Sequence, residues 1–322
     1  MNCLGIESTA HTFGVSVVED TGKILSNEKD VFTTESGGMI PKEVAEHHRK
    51  VCDTVLKNAL EKAKVTLKDI GLISYSRGPG LSPSLIVGKN FAKKLSDENK
   101  IPIIGVDHCV AHLTIGSLTT EAKDPVYIYV SGVNTQVIAL AGGKFRIFGE
   151  TLDVGLGNAL DKFGREAGLG FPAGPKIEEL AKKGKYIELP YAVKGMDVSF
   201  GGLITKTKQL LSKGISVEDI CFSFQETCFA MLAEVCERAM AHCEKNELLL
   251  IGGVAANKRL IEMLERMCSE RGAKFYAVPL QYAGDQAAMI AWQGILEYNA
   301  GRRDTTVEIY PYERIDEIDV IW

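Results

Sequence analysis

No stretch of this 322-residue chain is apolar for long enough to cross a bilayer, and Met1-Asn2 runs into an apolar strand with no basic leader. A cytoplasmic chain with no membrane partner is therefore expected. The eight cysteines include no Cys-x-x-Cys pair, the spacing that zinc ribbons and redox motifs use. Cys221, Cys228, Cys236 and Cys243 recur near helical spacing in one predicted helix and read as buried small apolar side chains in a reducing compartment. An excess of basic charge is missing too. The formal net charge is −5, which argues against a chain that holds nucleic acid by itself. Between Lys182 and Lys213, though, seven lysines stand against Glu188 and Asp197, either as a solvated face or as a surface for phosphate backbone.

With 45% hydrophobic and 25% charged residues, the chain has the composition of an ordinary globular protein, long enough for two cores. Its centre of interest is Val106-Asp107-His108-Cys109-Val110-Ala111-His112-Leu113, where the apolar run 101–106 feeds a predicted helix. On a helix His108 and His112 stand one turn apart and point the same way. Neutral imidazoles so spaced can share one zinc or iron ion. The spacing by itself also fits two half-buried histidines near a helix start. A metalloprotease would set a Glu beside the first His as general base, and Cys109 stands there instead.

The chain opens strand, polar turn, strand: Leu4-Gly5-Ile6, then Glu7 to Thr12, then Phe13 to Val18. The pattern returns at Val126 to Val130, Ser131-Gly132-Val133-Asn134-Thr135, and Gln136 to Leu140, which suggests an internal duplication. Ser36-Gly37-Gly38-Met39-Ile40-Pro41 is a predicted loop before a helix from Glu43 to Lys64 that carries His47 and His48. Adjacent helical residues diverge by about 100°, so these two are not expected to serve one site. Ser82 before Pro83 reads as an N-cap. Asp161, after the Gly155-Leu156-Gly157 turn, can accept from a hydroxyl or cap a helix. Gly252-Gly253, between a buried strand and Asn257, allows a ligand close to the backbone, or simply tight packing. Asp285 precedes a final apolar helix, where it can cap the helix or bind a metal.

Together these pieces resemble the universal tRNA threonylcarbamoyltransferase family. It is the catalytic subunit of the KEOPS complex in archaea and eukaryotes, is called TsaD in bacteria, and once carried the label of a sialoglycoprotein endopeptidase. The resemblance runs from Gly5-Ile6-Glu7-Ser8-Thr9 to Gly284-Asp285. It is carried by His108-Cys-Val-Ala-His112, Tyr129-Val-Ser-Gly-Val-Asn-Thr135, Gly157-Asn-Ala-Leu-Asp161, Gly252-Gly-Val-Ala-Ala-Asn257 and Gly284-Asp285, in that order, and the archaeal branch fits best. It implies a two-lobed α/β fold of the actin/Hsp70/sugar-kinase (ASKHA) kind, with duplicated ribonuclease-H-like domains around a nucleotide cleft. The lobes would be residues 1–123 and 124–300, with a basic insert near 182–213 and the last helix packing back on the first lobe.

The resemblance also implies one Fe(2+) or Zn(2+) on His108, His112, Tyr129 and Asp285. It places the substrate turn at Tyr129, Val130, Ser131, Gly132 and Val133, and adenylate contacts at Asp161, Gly174, Glu178 and Asn257. Glu7, Ser8 and Thr9 become candidates for holding reacting oxygens. The implied reaction moves threonylcarbamoyl from threonylcarbamoyl-AMP to N6 of adenosine 37 in tRNAs reading codons that begin with A, and ATP or ADP could occupy the same cleft. Implied partners are tRNA, an atypical protein kinase and a small dimerising KEOPS subunit, with 301–322 a possible linker to a fused kinase. A small-molecule kinase or a chaperone-like nucleotide binder of the same fold are the alternatives. Two residues depart from the family pattern: Val133, where a small residue is usual, and Ala173, in place of a common glycine.

Overall fold

A computed structural model describes residues 1–34 and 40–322, so the expected loop at Ser36, Gly37, Gly38 and Met39 lies outside the described residues. The elements run β1 (Asn2–Glu7), β2 (Thr12–Glu19), β3 (Ile24–Val31), α1 (Pro41–Ala63), β4 (Ile70–Gly78), α2 (Ser82–Asn99), β5 (Ile103–Asp107) and α3 (His108–Thr119). They continue with β6 (Val126–Val130), β7 (Thr135–Ala141), β8 (Lys144–Glu150), α4 (Leu156–Glu166), α5 (Gly174–Ala181), β9 (Val193–Lys194), β10 (Asp197–Val198) and α6 (Gly201–Ser212). Last come α7 (Val217–His242), β11 (Glu247–Ile251), α8 (Lys258–Glu270), β12 (Lys274–Ala277), α9 (Leu280–Ala283) and α10 (Ala287–Asn299). None of the described helices is long and apolar enough to cross a membrane.

The chain forms two compact units, one of Met1–Leu118 with Asp285–Trp322, the other of Thr119–Gly284. Each holds a five-stranded sheet of the same plan. In the first the order is β3-β2-β1-β4-β5, and in the second β8-β7-β6-β11-β12. The first three strands of each order form an antiparallel meander, and the remaining pairings are parallel. The two polar-turn hairpins seen in the sequence are thus equivalent positions of a duplicated α/β scaffold.

In the first unit, alternation along β1 divides the layers. Leu4 and Ile6 point into a core with Phe13, Cys52, Val55 and Phe91, on the side of α1 and α2. Gly5 points the other way, and there α10 lies directly on the strand. A Cβ on Gly5 would come within 2.3 Å of Ala287 O and 2.6 Å of Ala291 N, so only glycine allows this approach. Ser82 proves to be the first helical residue of α2 rather than its cap; Leu81 occupies the cap position and no side chain caps the helix. His47 and His48 also differ from expectation. Although they leave the helix in different directions, their Nδ1 atoms are 3.2 Å apart, and His48 Nε2 reaches Ala10 O at 2.9 Å. Side-chain rotamers bring the rings together where backbone angle alone separates them.

The residues after 300 run along this same unit. Arg77 holds Glu313 through two hydrogen bonds of 2.8 Å, Tyr75 donates to Glu308 O at 2.8 Å, and Ile315 is buried. In the second unit Cys221, Cys228 and Cys236 lie buried on α7, with Cys243 half-buried just past its end, and all are free thiols. Part of the lysine-rich stretch is neutralised locally, since Lys182 pairs with Glu179 and Lys208 with Glu166.

The tight approach of α10 sets a clear expectation. Gly5→Ala would force the helix off the sheet and should cost about 3 kcal/mol by overpacking. Gly202→Ala, where an added Cβ meets nothing within 4 Å, should be neutral or mildly stabilising. Urea unfolding of both variants beside wild type checks the contrast.

Candidate functional site

The junction of β5 and α3 has no loop. Asp107 ends the strand and accepts a hydrogen bond from Val110 N at 2.7 Å, so its side chain caps the helix that His108 begins. With the helix fixed from its first residue, the His108 and His112 rings meet edge to face, their centroids 4.8 Å apart. Asp285, just ahead of α10, completes the group. Its Oδ1 is 3.4 Å from His112 Nε2 and 3.6 Å from His108 Nε2, and the three donor atoms lie within 4.8 Å of one another. Asp285 is not the helix cap, because the side chain of Gln286 takes that role by accepting from Met289 N. This frees the Asp285 carboxylate for the histidines.

The second nitrogen of His108 is also held. Nδ1 lies 3.1 Å from Glu7 Oε2 and 3.3 Å from Thr9 Oγ1. The other Glu7 oxygen accepts from Thr9 N at 2.7 Å and from Thr9 Oγ1 at 2.5 Å, so one carboxylate oxygen is held inside its own turn and the other faces His108. A carboxylate behind a ligating imidazole fixes the ring and raises its basicity. Ser8 points elsewhere. Its N–H donates to Ser76 Oγ at 3.0 Å, and its hydroxyl fills the space left by Gly88 on α2. His11 lies 4.0 Å from Asp285 Oδ2, and Lys29 Nζ donates to Asp285 O at 3.1 Å. Neither had a spacing signal in the sequence, because His11 comes from the turn before β2 and Lys29 from β3.

Charge sets the protonation states. Burial opposes a proton on His108, but the Glu7 carboxylate, with Asp285 and Asp107, outweighs it and raises the imidazole to about 9. Burial prevails at His112 and lowers it, so this ring is neutral. Burial also opposes ionisation of Asp285, yet the hydrogen bond from His112 and the charge of His108 hold it well below the usual carboxylate range. Burial pushes Asp107 up to about 7 against its bond from Val110 N. Two imidazole nitrogens and one carboxylate oxygen, with a carboxylate behind one ring, form a donor set that fits divalent iron or zinc. The described residues therefore contain a His/Asp group whose donor atoms could hold a metal ion.

The other candidates lie in the second unit. Tyr129 and Val130 are buried at the end of β6. Ser131 closes the following turn on both sides of Asn134, donating its N–H to Asn134 O at 2.8 Å and accepting Asn134 N on Oγ at 3.0 Å. The start of α4 grips this turn, with Gly157 N on Ser131 O and Asn158 N on Gly132 O, each at 3.0 Å. Val133 is exposed and does not need positive φ; among the described non-glycine residues that conformation occurs at Lys64, Lys100 and Glu244. Gly252, with φ of 93°, lies so close to Val130 O that a Cβ would be 2.3 Å from it.

A second group gathers at the N-termini of α5 and α8. Asp161 Oδ1 accepts Ala173 N at 2.8 Å, one residue before Gly174. Glu178 accepts Lys258 N at 3.0 Å, and Asn257 caps α8 through Leu260 N while donating to Gln225 Oε1 at 3.1 Å. Ala173 is tolerated because it faces Gly164, whose own Cβ would approach it to 2.1 Å. Gln225, on α7, was not anticipated from the sequence, where it reads as an ordinary helical residue.

Residues 22–292 match the model of the family TsaD, tRNA N6-adenosine threonylcarbamoyltransferase. The chain belongs to this family. It is 52% identical over its full length to the whole tRNA N6-adenosine threonylcarbamoyltransferase of Thermococcus kodakarensis, and 49% identical to that of Archaeoglobus fulgidus with the same full coverage. A probable bifunctional tRNA threonylcarbamoyladenosine biosynthesis protein of Methanothermobacter thermautotrophicus is 52% identical over all of this chain, which spans 61% of that protein. Among solved structures, HypF of T. kodakarensis superposes with a TM-score of 0.63 at 17% identity, covering 93% of this chain and 48% of HypF. Component A of the Acidaminococcus fermentans (R)-2-hydroxyglutaryl-CoA dehydratase gives 0.56 at 16% identity, covering 92% and 98%. At such identities the likeness concerns the fold alone, and it agrees with the duplicated actin/Hsp70/sugar-kinase architecture.

For a threonylcarbamoyltransferase family member with this donor set, metal affinity should depend on pH in a definite direction. A metal must displace the His108 proton, so below about 9 affinity should rise by about tenfold per pH unit. Glu7→Gln removes the charge that holds the proton, so the rise should end at lower pH. Calorimetric zinc titration between about pH 6 and 8.5 checks both slopes.

Proposed function

We propose that the chain forms threonylcarbamoyladenosine, transferring the threonylcarbamoyl group of threonylcarbamoyl-AMP to N6 of adenosine 37 in tRNAs that read codons beginning with A. We propose also that one Fe(2+) or Zn(2+) is held by His108, His112 and Asp285, with Tyr129 the further donor that the family resemblance adds. The single observation that carries the reading is this His/Asp constellation within a chain that matches its family from end to end. In the reaction a bond forms between N6 and the carbamoyl carbon, the bond from that carbon to the phosphate oxygen breaks, and AMP leaves with the electron pair. N6 gives up one proton. The adenine amine is a weak nucleophile, so alignment and stabilisation of charge on oxygen dominate the barrier.

A bound divalent metal would supply Lewis acidity towards the threonylcarbamoyl group. The chain's own residues have separate tasks. Glu7 and Thr9 orient His108 and so act as positioning residues. The Ser131 hydroxyl and the Gly132 N–H serve substrate oxygens, since the Ser131 N–H is spent on Asn134 O, while Asp161, Gly174, Glu178 and Asn257 serve the adenylate, with ATP or ADP as occupants of the same place. The net charge of −5 favours sharing the tRNA with partners, for which we propose an atypical kinase and a small dimerising subunit of a KEOPS-type complex in the cytoplasm. The bifunctional relatives support such a companion, since their chains extend well beyond the matched part.

His112→Ala should remove both the metal and the transfer. Elemental analysis of chelator-free preparations, beside quantification of modified adenosine in tRNA, provides the check. A mutant without metal that still modifies tRNA at the wild-type rate would overturn the assignment.

A further inference from the structure

The three proposed metal donors belong to two segments, α3 for the histidines and the approach to α10 for Asp285, two residues before that helix. The spacing between donors therefore depends on how α3 and α10 are registered against each other. Apolar packing between helices sets such a register only loosely, because packed ridges can slide with small losses. A continuous chain of buried polar contacts joins them here. Thr114, two residues past His112, donates from Oγ1 to Gln293 Oε1 on α10 at 2.9 Å. Gln293 Nε2 donates to Glu297 Oε1 at 2.7 Å, and the other Glu297 oxygen pairs with Arg302 Nη1. Arg302 then returns to β5, donating from Nη2 to Gly105 O at 2.9 Å. Asp304 takes the N–H of the same residue, accepting Gly105 N at 2.8 Å while its other oxygen takes Arg302 Nε at 3.0 Å.

The two ends of this chain bracket the histidines. Gly105 stands three residues before His108 and Thr114 two residues after His112, while the middle of the chain belongs to the helix that starts two residues after Asp285. Gln293 is fully buried and Glu297 nearly so, at 2% exposure, so each bond acts in a low dielectric and each orphaned partner would be costly. Burial raises the Glu297 carboxyl above its usual range, and Arg302 is the first group that opposes this.

We propose that the chain Thr114–Gln293–Glu297–Arg302–Asp304 is a positioning network that sets the distance between the histidine pair and Asp285. Its members are distinct from the three donors. The network rests on the metal reading above, and its test separates the two. Cobalt(II) serves as probe, titrated into the full-length protein and followed by its visible absorption, with thermal unfolding of the metal-free form measured alongside. Glu297→Gln and the similarly shaped Thr114→Val should each weaken cobalt binding by about tenfold or more, the scale of lost support behind metal ligands, and alter the absorption band. Ser74→Ala provides the comparison. It breaks another buried hydrogen bond to α10, from Ser74 Oγ to Ile290 O at 2.8 Å, that lies outside the network. This variant should lower the melting temperature and leave cobalt affinity within about twofold of wild type.

Cobalt binding in wild type with equal affinity in Thr114→Val would overturn the network. So would an equal loss of affinity in Ser74→Ala, since it would trace the effect to general loosening. A wild-type protein that binds no cobalt would sink the metal reading itself. Thr114→Val keeps the buried volume, so it carries the test if Glu297→Gln fails to fold.

Discussion

Ionised groups taken out of water must find partners, and in the first unit that requirement organises everything near β5. Glu7 is fully buried, Asp107 nearly so, and Asp285 is four-fifths enclosed, all within reach of His108. Three carboxyl groups around two imidazoles would be a poor arrangement for stability alone. The structure relieves it in part by assigning each carboxyl a separate duty. Asp107 is pushed towards neutrality and caps α3, Glu7 is fixed by Thr9 and faces one side of His108, and Asp285 faces the other. What remains is a surplus of negative charge facing nitrogen donors, the setting in which a divalent cation is favourable.

The duplication gives the two units equivalent turns with different contacts. Both sheets share one strand order, and both first hairpins end in a polar turn. In the first unit that turn carries Glu7 and Thr9, whose side chains reach His108 at the start of α3. In the second it carries Ser131, Gly132 and Val133, whose backbone is gripped by Gly157 and Asn158 at the start of α4. Equivalent positions have thus diverged into a turn held through a carboxylate and one held through its backbone. Gly155 marks the difference, since its Cβ would fall 2.2 Å from Val133 O.

Much of this was legible in the sequence because it depends on local periodicity. The i, i+4 histidines, the paired hairpins and the Gly-Gly turn after a buried strand each report their own geometry within a few residues. The roles of single caps were less legible. Asp285 and Gln286 are adjacent, both able to cap, and only the fixed start of α10 decides that Gln286 does so. Contacts between distant segments left no local trace at all: His11 near Asp285 and Gln225 on Asn257 follow from packing, and even the adjacent His47 and His48 converge through their rotamers, not their spacing. Ala173 shows the same limit in reverse. It departs from the family pattern, yet the compensating Gly164 lies nine residues earlier and on another helix.

The segment after α10 shows how an edge can govern a site. β5 is the last strand of its sheet, so one side of it lacks a neighbouring strand to receive its N–H and C=O groups. Gly105 is served from that side by Asp304 and Arg302, while Tyr310 N and Pro311 O continue the cover along Arg77 O and Gly80 N of the adjoining segment. Gly105 also has no side chain because the Tyr75 ring fills that space, 2.7 Å from where a Cβ would stand. Tyr75 in turn donates to Glu308 O. A strand so placed has little freedom to shift along its length. Since β5 passes into α3 without a loop, whatever fixes Gly105 also fixes the first turn of the helix that presents His108. The edge strand, ordinarily the most compliant part of a sheet, is here the part held from both sides.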